Sequence, residues 1–306
     1  MDIEQMDIDK NNFSAILCMV CKKSYMNPWL VAKGFTVGRC TLCGFAQVLD
    51  TPSAATLGQL YETLHIKHIK YRSDQSAQLE NIFRLKFLQK QISNGARVLD
   101  AGCATGDFLV EASKVFDVYG FDISSAAISI AKCRLPNLSD RLIAWRLEDK
   151  EASWKDFDAV CLWDVIEHVA EPVEVLYQMM DYVKPGGYLI ISTPDLDSFT
   201  AKCMRSNWAF MIPPYHLGYF SKKSFKYIFT NRIPGDIITY ETRGKTVNLA
   251  FLFYKINQMN SWLVPNFLLD WMGKCQLGRL RLYIPSNDIA YLVIQKPYTS
   301  LPLAEK

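Results

Sequence analysis

Two pairs of cysteines near the start of the chain have the spacing of a metal site. Cys18-x-x-Cys21 and Cys40-x-x-Cys43 each place two thiols on one short turn, and eighteen residues separate the pairs. Four thiolates around one ion form the closed tetrahedral site that zinc occupies in structural modules. Two separated pairs favour one shared ion over thioredoxin-like redox chemistry, which needs a single pair. We therefore predict a ribbon with structural Zn²⁺, because no coordination position remains for a reactant.

A glycine-containing turn and a later acid have the arrangement that binds an adenosine-containing cofactor. The apolar segment Val98–Ala101 leads into Gly102, and the turn continues through Cys103 to Gly106 before an amphipathic helix. Glycine lets the backbone approach a ligand closely, and the helix start offers unpaired N–H groups. Asp122 ends the next apolar segment about twenty residues later, where a carboxylate accepts hydrogen bonds from two ribose hydroxyls.

The spacing of the glycines in this turn distinguishes between two classes of cofactor. A dinucleotide fingerprint needs Gly-x-Gly-x-x-Gly, which admits a pyrophosphate. This chain has Asp100-x-Gly102-x-x-x-Gly106 instead. An acid before the turn suits a ligand with an ammonium group. We therefore expect S-adenosyl-L-methionine at this turn.

A cluster of polar residues follows the apolar segment that ends at Trp163. Asp164, Glu167 and His168 should reach the open end of a parallel sheet, where α/β proteins bind their ligands. His168 could act as a general base, since an unperturbed imidazole titrates near neutrality. The alternative is that Glu167 and His168 begin a helix and anchor the neighbouring loop by hydrogen bonds.

A second candidate for acid–base chemistry lies in residues 207–221, which are rich in aromatic residues and proline. His216 is our first choice for the group that takes a proton from a hydroxyl or amine, and Tyr215 could assist it. The alternative is that His216 only pins the loop, with Ser221 capping the next helix. A displacement at the sulfonium of the expected cofactor would need mainly alignment and exclusion of water, so a base is not obligatory.

Residues 96–195 resemble the core of the class I S-adenosylmethionine-dependent methyltransferases, as found in ubiquinone-biosynthesis-type O-methyltransferases and in sugar and natural-product methyltransferases. The motifs that carry the resemblance occur in the family's order: Val98–Phe108, Tyr119–Ser124, Phe157–Val169 and Val183–Tyr188.

The resemblance implies a role for most residues of the predicted cofactor site. Asp100 and Gly102 would lie beside the methionine part, Asp122 would hold the ribose, and Ile123 would pack on the adenine. Glu148 or Asp149 would meet the adenine amino group. The complete predicted cofactor site is Asp100, Gly102, Cys103, Asp122, Ile123, Glu148 and Trp163.

Three further points concern the same resemblance. Ala104 stands where the family usually has glycine, and a methyl group is tolerated there if the backbone keeps a negative φ. Asp164, Glu167 and His168 resemble a divalent metal site proposed in quinone O-methyltransferases. A similar cysteine ribbon precedes the methyltransferase core of some deoxysugar C-methyltransferases.

Apolar and helical stretches alternate after residue 96, which predicts βαβ units. We expect an α/β fold with a doubly wound, mainly parallel, seven-stranded sheet. The predicted strands are Arg97–Asp100, Val118–Asp122, Leu142–Leu147, Phe157–Trp163, Tyr188–Thr193, Asp236–Thr242 and Asp288–Gln295. The predicted units are a zinc ribbon (1–52), a helical linker or lid (53–95) and an S-adenosylmethionine-binding domain (96–306) with a lid (196–222) and a helical cover (248–281).

Composition limits the class of partner. The 306 residues carry 34 Lys and Arg against 31 Asp and Glu, a net charge of +3 that favours a small-molecule substrate over nucleic acid. The acidic first residues and the lack of a membrane-length apolar run predict no transmembrane segment and a cytoplasmic protein. The stretch 248–275 could be an interfacial helix that touches a membrane, but its few basic residues favour the other interpretation, a helical cover over the active site or a homodimer contact.

Three functions are compatible with these residues. The first is methylation of a small molecule such as a sugar, quinone or natural product. The second is a non-methylating use of the cofactor, in which intramolecular attack releases methylthioadenosine. The third is a cofactor-binding module without catalysis.

Overall fold

We analysed a computed structural model of the chain. It describes residues 16–53, 56, 75–145, 154–249, 252–253, 257, 264–265, 268–269, 271–272 and 275–298. Glu148, Asp149, most of the predicted linker and parts of the predicted cover lie outside the described residues. Among the helices that are described, none combines the length and apolarity needed to cross a bilayer.

The core is a seven-stranded sheet, as the sequence predicts. Five strands run parallel in the order β8-β7-β4-β5-β6, and β11 and β10 continue the sheet antiparallel beyond β8. The strands are β4 (Arg97–Ala101), β5 (Asp117–Asp122), β6 (Leu142–Ala144), β7 (Phe157–Trp163), β8 (Val183–Pro194), β10 (Asp236–Asn248) and β11 (Arg281–Gln295). This order confirms the predicted doubly wound fold.

Helices cover both faces of the sheet because successive strand residues point to opposite sides. Leu99, Val160 and Leu162 belong to one buried cluster, whereas Val98 and Cys161 belong to the other. The described helices are α1 (Gln75–Gln89), α2 (Asp107–Ala112), α3 (Ser125–Arg134), α4 (Pro172–Tyr182), α5 (Phe199–Met204) and α6 (Lys222–Asn231). Helices α1, α2 and α3 pack on the Val98 side, and α4 and α6 pack on the Leu99 side.

The cysteine-containing segment forms a second, four-stranded sheet. Its strands are β1 (Asn27–Ala32), β2 (Phe35–Arg39), β3 (Ala46–Val48) and β9 (Gly218–Tyr219), in the order β1-β2-β3-β9. The first three come from the predicted ribbon, but β9 belongs to the predicted lid segment, 196–222. The two units are therefore joined by backbone hydrogen bonds.

Several elements differ in length from their predicted bounds. Strand β8 begins at Val183 rather than Tyr188, and β10 and β11 extend well past the predicted strands. The extensions of β8 and β11 are partly exposed, so they lack the apolar pattern on which the prediction relied. The predicted helix cap at Ser221 is confirmed, since its side chain and that of Ser224 form a reciprocal capping box.

Candidate cofactor site

The glycine turn follows β4 directly and wraps around the end of β5. Gly102 and Gly106 have φ of 85° and 76°, which only glycine adopts freely. The N–H groups of Gly102 and Cys103 both donate to the Phe121 carbonyl, at 2.8 and 2.9 Å. A Cβ on Gly102 would lie 2.6 Å from the Val165 side chain. The turn therefore needs glycine for conformation and for space.

Ala104 does not meet the condition stated for an alanine in this turn. Its φ is +46°, whereas an unstrained alanine has a negative φ. The Ala104 N–H donates to an Asp122 carboxylate oxygen at 2.9 Å, and this bond lies in the centre of the turn. The bond holds the backbone in a left-handed conformation that alanine disfavours but tolerates at single positions.

Asp122 lies at the carboxyl end of β5, as predicted, and is buried. Its other oxygen accepts from the Ser124 N–H at 2.9 Å. Each carboxylate oxygen has two acceptor positions, so both keep capacity for a diol. Ile123 beside it is 60% exposed, which leaves an apolar surface open to a planar ligand.

A cavity of about 170 Å³ opens beside this turn. Asp100, Gly102, Cys103 and Trp163, all predicted cofactor residues, lie in its wall. Asp122 and Ile123 are not part of this wall and adjoin it through the turn. The remaining lining residues are Glu80, Asn81, Arg84, Ala104, Asp107, Phe108 and Asp164.

Arg84 is a lining residue that sequence reasoning missed. It comes from α1, is only 8% exposed, and forms an ion pair with Asp164. Burial disfavours its charge, but Asp164, Tyr291 and Glu80 outweigh this effect and keep the Arg84 pKa above its usual value. Its Nε atom has no hydrogen-bond partner among the described residues. A buried guanidinium with an unused donor suits an anionic ligand group.

Asp164 has an unusual backbone that fits this pairing. Its φ is +56°, and its N–H donates to the Ser192 carbonyl at 3.0 Å. The Ser192 hydroxyl donates to one Asp164 oxygen at 2.9 Å, while Arg84 binds the other. The carboxylate is thus engaged with protein groups rather than turned towards Glu167 and His168.

Glu167, His168 and His216 come together instead. Their candidate ligand atoms all lie within 4.8 Å of one another. Burial, followed by the charge of Asp164, raises the pKa of Glu167 to about 8. Thr193 donates a hydrogen bond to Glu167 at 3.0 Å. The set differs from the Asp164, Glu167 and His168 set that the resemblance indicated.

The two histidines differ in environment. His216 is 5% exposed, and burial followed by the proximity of His168 lowers its pKa well below the usual value. Its Nδ1 has no hydrogen-bond partner among the described residues. His168 is half-buried, its Nδ1 lies 2.7 Å from the Tyr215 carbonyl oxygen, and its ring centroid is 4.8 Å from that of His216. Since a carbonyl only accepts, Nδ1 of His168 carries the proton, and Nε2 is the basic nitrogen of the neutral ring.

The comparison with known protein families agrees with this architecture. The family model described as a methyltransferase domain matches residues 71–232. The match covers more than half of the chain and includes the turn, Asp122 and the histidine pair. The chain belongs to this methyltransferase-domain family.

Individual relatives of this methyltransferase-domain protein match segments of different length in the chain. The ubiquinone biosynthesis O-methyltransferase of Alkalilimnicola ehrlichii is 32% identical over 120 residues, 37% of this chain and 48% of that protein. The protein of the same name from Acinetobacter baylyi is 26% identical over 209 residues, 63% of this chain and 82% of that protein. The chain spans about half the length of the first curated relatives it matches.

A solved structure confirms the fold. A SAM-dependent methyltransferase from Archaeoglobus fulgidus superimposes with a TM-score of 0.51 and 20% sequence identity. The superposition covers 76% of this chain and 98% of that one. The core of this methyltransferase-domain protein therefore has the class I methyltransferase fold.

The four predicted metal ligands of this methyltransferase-domain protein precede the family match. Cys18, Cys21, Cys40 and Cys43 are all buried free thiols. The sulfur atoms of Cys18 and Cys43 lie 3.5 Å apart, and those of Cys21 and Cys40 lie 3.7 Å apart. A tetrahedron with Zn–S bonds of about 2.3 Å has edges of about 3.8 Å. The cluster therefore fits a Zn²⁺ ion with four thiolate ligands.

Proposed function

We propose that the protein transfers a methyl group from S-adenosyl-L-methionine to a small-molecule acceptor of the sugar, quinone or natural-product class. One observation carries this proposal. The glycine turn lies beside the cavity at the sheet edge, and the Asp122 carboxylate binds the backbone of that turn. Membership of the methyltransferase-domain family supports the reaction class.

Each part of the cofactor finds a matching group. We assign the ribose hydroxyls to Asp122, one face of the adenine to Ile123, and the ammonium group to Asp100, which is buried in the cavity wall. The carboxylate would bind Arg84, which has an unused donor. The cofactor supplies an electrophilic methyl group on a sulfonium. The chain supplies alignment and a site shielded from water.

On the acceptor side, we propose His168 rather than His216 as the general base. The Tyr215 carbonyl orients the His168 ring and fixes the proton on Nδ1, so that Nε2 is the basic nitrogen that would take the proton of an acceptor hydroxyl or amine. His216 is more deeply buried, and its pKa is well below the usual value. Its role would be to position the His168 ring, with which it makes an edge contact.

We also propose that Cys18, Cys21, Cys40 and Cys43 hold one structural Zn²⁺ ion. Their burial and spacing support this assignment. Metal analysis of the purified protein tests it: we expect about one zinc per chain, and replacement of Cys40 by Ser should lower that content. Zinc content that is unaffected by this replacement would contradict the assignment.

One incubation tests the main proposal. Purified protein is mixed with S-adenosylmethionine, with and without candidate acceptors, and the adenosine product is separated by chromatography. Methyl transfer predicts acceptor-dependent adenosylhomocysteine. Methylthioadenosine would indicate a non-methylating reaction, and cofactor binding without any product across all acceptor classes would indicate a binding module.

A matched pair of variants links the product to the site. Asp122→Asn keeps the side-chain size but removes the charge, and we expect cofactor affinity to fall about tenfold or more, the loss of a charge-assisted hydrogen bond. Asp140→Asn removes an exposed acid elsewhere and should bind the cofactor like the unaltered protein. Equal affinity in both variants would contradict the ribose assignment.

A further inference from the structure

We infer that the cysteine ribbon is a positioning element for the acceptor side of the active site. In this view, occupancy of the ribbon by its metal controls the order of the lid strand β9 and of His216, while the cofactor side keeps its geometry. The division into an acceptor side and a cofactor side rests on the proposed function. The contacts that couple the ribbon to β9 and His216 do not depend on that function.

The first contact is the strand pairing between the two units. Strand β3 pairs antiparallel with β9, so that Ala46 faces Tyr219 and Gln47 faces Gly218. The Val48 N–H donates to the Leu217 carbonyl at 3.0 Å. The β9 strand is thus the last strand of the ribbon sheet although it comes from the lid segment.

The same short segment is bound on its other side to the catalytic core. The Leu217 N–H donates to the Glu167 carbonyl at 2.8 Å, and the Leu196 N–H donates to the Phe220 carbonyl at 2.8 Å. Residues 217–220 therefore lie between the ribbon and the core. Their position depends on both partners.

Phe45 connects the second cysteine pair to this strand. The Cys40 N–H donates to the Phe45 carbonyl at 2.8 Å, so the metal ligand and Phe45 are fixed to each other. Phe45 is fully buried, and its ring centroid lies 4.9 Å from that of Phe220. A Cβ on Gly218 would lie only 2.6 Å from the tip of the Phe45 ring. A shift of the Cys40 turn therefore moves the residue against which β9 is packed.

The surroundings of His216 complete the connection. Its ring lies 6.1 Å from Tyr219 and 6.4 Å from Phe210, measured between centroids. Tyr219 and Phe210 pack in one cluster with Phe35 and Val37 of the ribbon. The ribbon thus forms part of the wall behind His216, which in turn contacts His168.

The described polar contacts of the ribbon lie away from the cofactor side. The described hydrogen bonds and ion pairs join it to the lid segment, to helix α6 with the residue that follows it, and to the start of α4: Ser221 to Gly44, Lys223 to Thr41, Arg232 to Val20, Lys22 to Glu171 and Arg39 to Asp197. The polar contacts described for Gly102, Asp122 and Arg84 include none with the ribbon. Loss of the metal should therefore disorder β9 and His216 on the acceptor side and leave the geometry of the cofactor side unchanged.

The test uses a variant that leaves all four cysteines in place. Gly218→Ala places a methyl group against Phe45 and should push β9 away from the ribbon. Phe45→Leu in the same chain removes the ring tip and should restore the fit. Val31→Ala, on a 64% exposed ribbon position, is the matched control. Each full-length protein is measured for zinc content, for cofactor affinity by calorimetry, and for amide hydrogen exchange of residues 215–220.

We expect Gly218→Ala to exchange the amides of residues 215–220 about tenfold faster or more, the change that local opening of a weakened element produces. Its cofactor affinity should stay within about threefold of that of the unaltered protein. Its zinc content should be unchanged. The double variant should recover slow exchange. Chelation of zinc from the unaltered protein should accelerate the same amides while cofactor binding persists.

Two results would overturn the inference. Unchanged exchange at residues 215–220 in both Gly218→Ala and the zinc-depleted protein would show that the ribbon does not position β9. Loss of cofactor binding together with zinc would show that the ribbon stabilises the whole chain without selectivity. Failure of the methyl-transfer proposal would be seen separately, as the absence of an adenosine product despite normal exchange behaviour.

Discussion

Two opposing effects determine the charge of Arg84. Burial disfavours the cation, whereas Asp164 and the acidic residues of the cavity favour it, and the second effect prevails. A buried charge is costly to keep unless charged or hydrogen-bonding partners compensate it. The Asp164 ion pair thus keeps Arg84 charged, and its Nε, which has no partner among the described residues, suits an anionic ligand group as proposed above.

Replacement of Arg84 tests this role. Arg84→Met keeps much of the apolar stem but removes the guanidinium, and we expect cofactor affinity to fall about tenfold to a hundredfold, since a bond to a charged group contributes about 1.5–3 kcal/mol. Isothermal calorimetry measures the affinity. Lys86→Met, on the same helix but exposed, removes the same charge and should leave the affinity unchanged. An equal loss in both variants would indicate a general charge effect.

Glu167 gives a prediction about pH. Burial and Asp164 raise its pKa from 4.5 to about 8. A carboxyl group with a raised folded-state pKa stabilises the protein below its unfolded pKa and loses that contribution as pH rises through the folded value. The free energy of unfolding should therefore fall between about pH 4.5 and 8, by at most about 1.4 kcal/mol per pH unit from this group.

Denaturant titrations at several pH values check this slope. In Glu167→Gln the amide can still accept from Thr193 but does not titrate, so its free energy of unfolding should depend less steeply on pH than that of the unaltered protein. Glu174→Gln, on an exposed position of α4, should keep the original slope. Parallel slopes in all three proteins would contradict the raised pKa.

Residue types and local spacing predicted part of the site. The Cys-x-x-Cys pairs and the interval between Gly102 and Asp122 are properties of short segments, so they are visible in the sequence. Arg84 and Asp164 are 80 residues apart and meet only in the folded chain. A local signal did exist: Glu80, Arg84 and the buried Leu88 follow one another at intervals of four, which places two charged groups on the same face of α1 as a buried leucine.

At the scale of the element, the glycine turn stores strain at Ala104. An alanine with a φ of +46° costs about 1–2 kcal/mol relative to an unstrained conformation. Ala104→Gly should therefore raise the free energy of unfolding by about 0.5–1 kcal/mol, after the greater freedom of glycine in the unfolded chain is taken into account. Thermal and denaturant unfolding measure this difference.

The control for this substitution is Ala144→Gly in β6. Ala144 is exposed and is not among the residues with positive φ, so glycine should lower stability there by about 0.5–1 kcal/mol. Opposite signs at the two positions are the expected result. A loss of stability at both positions would indicate that the turn at Ala104 is relaxed rather than strained.

The sequence predicted the elements with a clear apolar pattern and missed those that depend on partners. The buried parallel strands are continuous apolar runs bounded by turns, so their order and number follow from local pattern. Strand β9 has only two residues, Gly218 and Tyr219, and forms because β3 offers a free edge. A pattern within the lid segment could not reveal a partner 170 residues away along the chain.

At the scale of the whole molecule, the predicted ribbon (1–52) packs against the rest of the chain and is not separate from it. Residues on both sides of Pro52 share a four-stranded sheet and a buried cluster that includes Phe35, Val37, Trp208 and Tyr219. The ribbon covers apolar side chains of the lid segment, 196–222, that would otherwise be exposed to solvent. Burial of this kind contributes about 25 cal/mol for each Å² of apolar surface.

A chain that begins at residue 53 tests this dependence. Without the ribbon, buried lid-segment side chains such as Trp208, Tyr219 and Phe220 would face water, and Phe225 of α6 would lose its cover. We expect this shortened chain to bind a hydrophobic dye and to unfold over a broad transition, which calorimetry would show. Addition of the separately produced segment 1–52 with zinc should reduce the dye binding, because it restores the missing wall. A shortened chain that unfolds as sharply as the full chain and binds no dye would show that the α/β domain is stable by itself.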